Sequence, residues 1–407
     1  MLKRYLASSW APWASAALLV LAHVLVTLAG ADAFQMIDLK VYIDGTRHLG
    51  DGTLYDFFSE PLHLPFTYPP FSALVFVLIG WIPWVLLRIL WQAASFVAIA
   101  VIIQATLRLL GRAGPTAPRP LPQLPGIVIT GSALAVFLEP VRTTFNYGQI
   151  NLFLAALMLL GAASAKQGRA GLSVGLAAGI KLVPAIAGLY YLLQRRWTAV
   201  VVAVAGFAAT IGIALIVLPE ETVRFFTELI FDPSRTGPVY SAINQSWRGA
   251  LARLAGHDVS TSWLIAVLLT LALGLAATWW SLRAGDRTAA FLAVQFVGLL
   301  VSPISWSHHW VWVLPLLLWA FFGPHRRHPA ALALGVGWLV ATYSYLVPVL
   351  ITQQDEFSAS RPGWQAWLGT VYVLLGMLTL LVLALLNRRA PRPGGDDTDA
   401  SVRAAAA

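Results

Sequence analysis

The long apolar blocks of this chain constrain its fold more than any other feature. Blocks of roughly 15–24 apolar residues recur along the sequence, and about 20 such residues in a helix cross the ~30 Å core of a bilayer. Of the 407 residues, 58% are hydrophobic and 11% are charged, whereas a soluble domain carries about 25% charged residues. So few charges cannot solvate the surface of a protein this large. The sequence therefore predicts an all-α, polytopic membrane protein, which excludes a disordered chain, a coiled coil and a water-soluble globule.

Window hydropathy predicts about twelve membrane spans. The first apolar block follows Lys3 and Arg4, as in a signal peptide, but its length and the lack of a convincing cleavage site favour a first transmembrane helix. The expected spans are residues 11–30, 68–84, 86–107, 127–140, 149–164, 171–193, 198–218, 262–282, 289–305, 308–323, 329–349 and 365–386.

Basic turns between the spans indicate the topology. The segments 283–287, 324–328 and 387–389 are rich in Arg and His, and positive charge marks the cytoplasmic side. An even number of spans then places both termini in the cytoplasm and the long loops 31–67 and 219–261 outside a plasma membrane. We expect residues 1–389 to form one transmembrane domain and the Pro-, Gly- and Asp-rich residues 390–407 to form a disordered cytoplasmic tail.

The block 171–193 does not fit this alternation. It contains Gly179, Lys181 and Pro184, and basic segments at 166–169 and 194–196 flank it on both sides. A pair of half-helices that re-enters the membrane would satisfy the charge rule. One kinked span that violates the rule once is the alternative, and the sequence does not decide between them.

The overall charge and the lack of cysteine exclude several kinds of chemistry. The net charge of +9 is typical of cytoplasmic loops that face anionic lipid, and we expect no nucleic-acid partner. Because the chain has no Cys, it has no disulfide, thiolate nucleophile or iron–sulfur cluster.

The first outer loop, residues 31–67, holds six of the 18 acidic residues. Its apolar residues predict short helices on the membrane surface. Asp38 follows the first span by a turn or two, which places its carboxylate at a defined depth, where it can act as a general base on a hydroxyl group. Asp44 is the second candidate for this base. A helix cap or a solvated acid is the structural alternative for either residue.

Seven short motifs resemble glycosyltransferase family 87, the polyprenol-phosphate-mannose-dependent mannosyltransferases of the GT-C class. Each motif is weak alone, but their order and spacing over residues 10–325 are specific. The motifs are DLKVY at 38–42, GTLYD at 52–56, FTYPPF at 66–71, NYGQIN at 146–151, KLVP at 181–184, NQSW at 244–247 and SPISWSHH at 302–309.

The resemblance implies a GT-C-like fold and an inverting glycosyl transfer on the extracytoplasmic face. The donor would be polyprenyl-phosphate mannose, and the acceptor a mannosylated phosphatidylinositol that receives an α-1,2-linked mannose. A base removes the proton of the acceptor hydroxyl while polyprenyl phosphate leaves. The resemblance implies neither a nucleotide sugar nor a metal or other cofactor, and we expect a monomer among membrane lipids.

Positively charged and imidazole groups are the candidates for contact with the leaving phosphate. Lys181 interrupts an apolar block, and an ionisable residue inside a span indicates function, although a snorkelling anchor is the alternative. His308 and His309 begin a span, and adjacent residues cannot face the same way on a helix. One of the two rings should therefore face a cavity, where it can bind phosphate or sugar or tune a carboxylate. Packing in an aromatic belt is the alternative for both.

Amide and aromatic side chains near these positions suit sugar hydroxyls and sugar faces. Helix capping is the alternative for any single Asn, and surface solvation for any single Arg. The predicted substrate-binding residues, besides Lys181, are Tyr42, Tyr68, Arg142, Asn146, Gln149, Asn151, Asn244, Gln245, Trp247 and Arg248.

A secondary transporter or flippase of a glycolipid or polyprenyl-linked sugar is the main alternative function. Such a protein can use Lys181 and a broken helix in the same way, but it more often has inverted repeats and short, balanced loops. An acyltransferase or polymerase would need a His within a span paired with Ser or an acid. The two large outer loops favour an enzyme with its site at the bilayer surface.

Overall fold

The computed structural model of this chain describes residues 5–6, 8–29, 35–112, 121, 123–257, 259–352 and 363–389. The predicted tail at 390–407 lies outside the described residues. Within them the regular elements are helices and one two-stranded antiparallel sheet, in which Phe58–Ser59 pairs with Leu64–Pro65. Asn244 and Trp306 form an isolated antiparallel bridge. The prediction of an all-α, multi-pass membrane protein is confirmed.

The N-terminal half contains the long first span and the helices that carry most of the predicted site. These helices are α1 (Ala11–Ala29), α2 (Ile37–Gly45), α3 (Pro70–Gly80), α4 (Trp84–Leu109), α5 (Leu124–Ala135), α6 (Glu139–Tyr147), α7 (Asn151–Ala163) and α8 (Gln167–Ile180).

The C-terminal half continues the bundle and adds short helices in the second outer loop. The helices are α9 (Ala187–Leu193), α10 (Trp197–Val217), α11 (Pro219–Thr227), α12 (Trp247–Ala255), α13 (Ser260–Arg283), α14 (Arg287–Val301), α15 (Val313–Phe322), α16 (Pro329–Tyr343), α17 (Leu346–Thr352), α18 (Gly363–Leu368) and α19 (Val371–Arg388). Short 3₁₀ segments occupy Thr46–His48, Val183–Ile186, Leu229–Phe231, Pro233–Thr236 and Ser307–Trp312.

The lengths of the helices bear on the predicted number of spans. Among the described residues, five helices are long and apolar enough to cross a membrane, namely α1, α4, α10, α13 and α19. The pair α5 and α6 becomes a sixth if it is one span bent by 70°. The bend falls where Pro140, in the first turn of α6, cannot donate a backbone hydrogen bond. Further apolar helices have 10–17 residues, so the count of twelve spans stays a prediction.

The predicted span 171–193 is broken at Lys181. Helix α8 ends at Ile180, and Lys181 has an extended backbone with φ −149° and ψ 125°. Pro184 has no N–H to continue the helix, and it disfavours helical geometry at the residue before it. A 3₁₀ turn at Val183–Ile186 then leads into α9. The block is therefore divided into two helices, and Lys181 lies at the break between them.

A stripe of glycines holds α8 against α10. Gly171, Gly175 and Gly179 repeat every four residues on the face of α8 that meets α10. A Cβ atom at Gly175 would lie 2.6 Å from the carbonyl oxygen of Ala203. Small residues allow helix backbones to approach closely within a membrane. This packing fixes the position of α8 and of the break at its end.

The two long loops, residues 31–67 and 219–261, which are predicted to lie outside, contact each other through their described residues. Arg224 of α11 donates two hydrogen bonds of 2.8 Å to the carboxylate of Asp56. Arg235 donates to the backbone carbonyl of Tyr55 at 2.7 Å, and the ring of Tyr55 stacks on Phe225. The predicted short helix in the first loop is α2, but its apolar residues, including Leu39, are buried inside the protein.

Candidate active site

Asp38 lies in the first turn of α2, where the helix dipole favours a negative charge. Its Oδ2 atom accepts a 2.8 Å hydrogen bond from Nε2 of Gln149. The second oxygen, Oδ1, accepts no hydrogen bond from any described residue, and the side chain is half-buried. One oxygen of Asp38 is therefore held in place, and the other remains open to a further donor.

The electrostatics of this position suit a general base. Burial raises the pKa of Asp38 to about 6, and the hydrogen bond from Gln149 and the charge of Lys181 limit the rise. A carboxylate with this pKa is ionised at neutral pH and binds a proton more strongly than an exposed Asp does.

Gln149 connects Asp38 to two tyrosines. Its Oε1 atom accepts hydrogen bonds from the hydroxyls of Tyr42 at 3.1 Å and Tyr68 at 3.0 Å. These hydroxyls are 2.9 Å apart. With Nε2 bound to Asp38 and Oε1 bound to both tyrosines, Gln149 positions protein groups. Its predicted substrate contact stays a prediction.

The backbone brings Gln149 to Asp38 through a glycine. Gly148 ends α6 with φ +67°, a left-handed conformation that glycine adopts without steric cost. A Cβ atom at this position would lie 2.6 Å from Cβ of Leu39. The loop can therefore lie directly on α2, next to Asp38.

Lys181 is the second centre of the site, and its side chain is buried. Nζ donates hydrogen bonds of 2.9 Å to the Tyr68 hydroxyl and to Oδ1 of Asn151. It also lies 3.2 Å from Nε2 of His309. No carboxylate forms a salt bridge with this ammonium within the described part of the chain. Its positive charge is thus surrounded by neutral partners and suits an anionic group of a substrate.

The two histidines face different ways, as predicted. His309 contacts Lys181, whereas the ring of His308 is buried edge-on against Tyr147, with the ring centroids 5.5 Å apart. Neither ring nitrogen of His308 has a hydrogen-bond partner among the described residues. The backbone carbonyl of His308 accepts a 2.9 Å bond from Asn151. The predicted catalytic role therefore fits His309 and does not fit the ring of His308.

A narrow cavity begins beside Lys181 and has about 40 Å³ of space. Asn151, Lys181 and His309 line its polar end. Beyond them the walls are mainly apolar and come from α7, α14 and the 3₁₀ turns at 183–186 and 307–312. The site therefore combines a cationic group with an adjoining apolar space.

Asp44, the second candidate base, is occupied by other groups. Its Oδ2 atom accepts 2.6 Å hydrogen bonds from Lys40 and from Ser59. Its Oδ1 atom lies 3.5 Å from the guanidinium of Arg47. Because both oxygens of Asp44 contact a cation, the geometry favours Asp38 over Asp44 as the candidate base.

The predicted substrate contacts in the second outer loop are not at this site. Asn244 and Gln245 are fully buried, and their amides donate to backbone carbonyls, Val239 for the first and Gly369 for the second. These two side chains hold the fold together, and their predicted substrate contacts stay predictions. The indole of Trp247 donates to Thr270 at 2.9 Å.

Arg142, Asn146 and Arg248 are also outside the network that joins Asp38 to Lys181. Arg142 and Asn146 are half-buried on α6. Arg248 lies over the ring of Trp263, 5.3 Å from its centroid. Their predicted substrate contacts stay predictions.

Glu139 is a residue that the sequence analysis missed. Its fully buried carboxylate accepts hydrogen bonds from Tyr372 at 2.7 Å and from Ser307 and Thr143 at 2.8 Å. Ser307 precedes the two histidines, so Glu139 fixes the turn that presents His309. The sequence did contain a signal for this residue, because Glu139 is an acid next to Pro140 at the end of an apolar block.

The chain is similar in sequence to known proteins over most of its length. The sequence profile described as glycosyltransferase family 87 matches residues 66–303. A polyprenol-phosphate-mannose-dependent alpha-(1-2)-phosphatidylinositol pentamannoside mannosyltransferase of Mycolicibacterium smegmatis is 38% identical over 370 residues, which are 89% of this chain and 88% of that protein. A polyprenol-phosphate-mannose-dependent alpha-(1-2)-phosphatidylinositol mannoside mannosyltransferase of Mycobacterium tuberculosis is 32% identical over 372 residues, which are 87% of this chain and 84% of that protein.

Among solved structures, ArnT from Cupriavidus metallidurans in the apo state aligns over 90% of this chain and 78% of its own. The sequence identity is 17% and the TM-score is 0.39.

Proposed function

Since this chain belongs to glycosyltransferase family 87, and is therefore a glycosyltransferase, we propose that it moves mannose from polyprenyl-phosphate mannose to a phosphatidylinositol mannoside. We propose an α-1,2 linkage in the product. The family that the sequence motifs predicted is confirmed. The names of the relatives support the donor and the acceptor.

One observation carries the proposal. A continuous path of hydrogen bonds joins Asp38 to Lys181 through Gln149 and Tyr68. Inverting transfer needs a base at the attacking hydroxyl and a cation at the leaving phosphate. This path holds both groups at fixed positions on one scaffold.

The reaction proceeds by direct displacement. The acceptor hydroxyl gives its proton to Oδ1 of Asp38 while its oxygen bonds to the anomeric carbon of the mannose. The bond from that carbon to the phosphate oxygen breaks, and polyprenyl phosphate leaves with the electron pair. Lys181 stabilises the negative charge that develops on the phosphate. His309 contacts the ammonium group of Lys181. The anomeric configuration inverts because the nucleophile and the leaving group lie on opposite faces of the sugar.

We place the reaction at the extracytoplasmic face of the plasma membrane and propose that it needs no metal. The positive-inside rule supports this side for loops 31–67 and 219–261. The chain has no native Cys, so single cysteines can report sidedness directly. A Cys at the exposed His63 should react with an impermeant maleimide in intact cells, and a Cys at Arg327 should not. The reverse pattern would refute the topology, and loss of activity in EDTA would refute the metal-free reaction.

The decisive experiment is transfer of labelled mannose by the purified protein. The donor is polyprenyl-phosphate mannose, and the acceptors are phosphatidylinositol mannosides of increasing size. The wild type should form a product whose linkage analysis gives α-1,2-mannose. Asp38→Asn should abolish transfer, because an amide cannot accept the proton.

A matched control is Asp51→Asn. Asp51 is an exposed acid of the same loop that binds Thr53 in a turn, so this variant should remain active. An active Asp38→Asn enzyme would remove Asp38 as the base. Movement of labelled donor across a vesicle membrane without transfer would favour the flippase instead.

A further inference from the structure

A polar pocket lies at the opposite end of α8 from Lys181. Ser164, Gln167, Gln194, Arg196 and Arg287 are among the residues that line it. Helix α8 has 14 residues and is therefore about 21 Å long. The pocket is thus separate from the candidate active site. It brings together the two basic segments that flank the block 171–193 and the basic turn 283–287, which the sequence analysis assigned to the cytoplasm.

Three helices begin at this pocket. Helix α8 begins at Gln167, α10 follows Arg196, and α14 begins at Arg287. No side chain caps the first turn of α8 or α10. The N-terminal ends of helices carry partial positive charge and free N–H groups. The backbone therefore adds to the positive charge of the two arginines.

The two guanidinium groups are held in place by neutral contacts. Arg287 donates to the carbonyl of Ala162 at 2.9 Å, and Arg196 donates to the carbonyl of Ser164 at 3.3 Å. Arg196 also lies over the ring of Tyr191. Neither arginine forms a salt bridge within the residues that the structure describes.

The nearest acid does not neutralise them. The carboxylate of Asp286 accepts hydrogen bonds from the backbone N–H of Ala289 at 2.9 Å and from the indole of Trp319 at 2.7 Å. It is buried and directed toward these groups. The positive charge of the pocket is therefore available to an anion.

Exposed apolar side chains adjoin two of the pocket residues in the sequence. Leu192 and Trp197 are 43% and 59% exposed, and they lie within two residues of Gln194 and Arg196 in the sequence. Such exposed apolar groups at the end of a span face lipid. A ligand with a phosphate group and acyl chains matches both parts of this surface.

We propose that this pocket binds the phosphodiester head group of an anionic phospholipid. Arg196 and Arg287 bind the phosphate oxygens, and the acyl chains lie on the exposed apolar residues. Basic pockets between helices on the cytoplasmic side bind lipid head groups in this way. The site is independent of the mannosyl transfer proposed above.

Thermal unfolding of the full chain tests this site. The protein is purified in detergent, stripped of lipid and followed by the fluorescence of its 17 Trp residues. Phosphatidylglycerol should raise Tm by about 3 °C or more at saturation. Phosphatidylcholine and inorganic phosphate should raise it much less. The double variant Arg196→Gln/Arg287→Gln should lose the rise.

The control is Lys166→Gln/Arg169→Gln, which removes the same charge from exposed positions outside the pocket lining and should keep the rise. Equal stabilisation by phosphatidylcholine, an equal effect of inorganic phosphate, or loss of the rise in the control variant would overturn the proposal. If the double variant does not fold, a photoreactive phosphatidylglycerol should label the wild type within 164–167, 194–196 or near 287. Labelling elsewhere alone would refute the site.

Discussion

Removing the amide of Gln149 should move the acidic limb of the pH–activity profile. In the wild type, kcat/KM should rise with pH through about 6, the pKa of Asp38, because only the ionised carboxylate can accept a proton. Between pH 5 and pH 7 the ionised fraction, and with it the rate, should increase about tenfold. Above pH 7 the profile should be flat with respect to this group.

The variant Gln149→Leu removes the 2.8 Å hydrogen bond from Nε2 to Oδ2. A hydrogen bond to an ionised group contributes about 1.5–3 kcal/mol, which corresponds to roughly one to two pH units. Because the bond stabilises the carboxylate, its loss should raise the pKa of Asp38. The acidic limb should therefore move upward from about 6 by at least about one pH unit.

Ser59→Ala is the matched control, because it removes a comparable hydrogen bond of 2.6 Å from Asp44. If Asp38 is the base, this variant should leave the acidic limb in place. The assay is initial-rate mannose transfer at limiting donor between pH 4.5 and 8.5. A limb that moves in Ser59→Ala and stays in Gln149→Leu would assign the base to Asp44 and refute our reasoning.

Three further substitutions test other parts of the structure. Lys181→Met should lower kcat/KM by about 10²–10³, as loss of one charge-stabilising donor does, and initial rates with varied donor measure it; an unchanged value would indicate a snorkelling lysine. Glu139→Leu leaves three hydroxyls without their acceptor, so it should lower the free energy of unfolding by about 3 kcal/mol or more. It should also reduce kcat by a larger factor than it changes KM. A denaturant unfolding curve that matches the wild type would contradict this. Gly175→Leu should lower Tm by about 3 °C or more because its side chain meets the backbone of α10, whereas Gly168→Leu has open space and should not.

The sequence singled out residues that the structure brings together, because these residues carry unusual signals. Asp38 lies next to a span, and Lys181 interrupts an apolar block. Placing either ionisable side chain in or near lipid costs free energy unless it has polar or charged partners. Asn151 and His309 were also predicted, and both contact Lys181.

The sequence could not separate residues of one type that serve two purposes. Gln149 and Gln245 are both buried amides within two residues of an Asn in the sequence, yet one positions Asp38 and the other binds backbone carbonyls. Only the tertiary fold separates these uses. Glu139 was missed because its partners Ser307 and Tyr372 are 168 and 233 residues away along the chain, and single-sequence patterns are local.

Hydropathy located most helices but not their breaks. The predicted span 198–218 agrees with α10 at Trp197–Val217, because a long apolar run has a single interpretation. The predicted span 127–140 extends past the bend where α6 begins at Glu139. Apolar composition does not indicate where a helix ends and the chain changes direction.

The glycine packing of α8 on α10 has a consequence for mutagenesis of this enzyme. With backbone in contact with backbone along Gly171 and Gly175, no flexible side chain lies between the two helices to absorb a displacement. A bulky residue at Ala199 or Ala203 would push α8 along its whole length and carry the ammonium group of Lys181 with it. Inactive variants in this remote part of α10 should therefore behave like enzymes that bind the lipid phosphate weakly, although no atom of the altered residue touches a substrate.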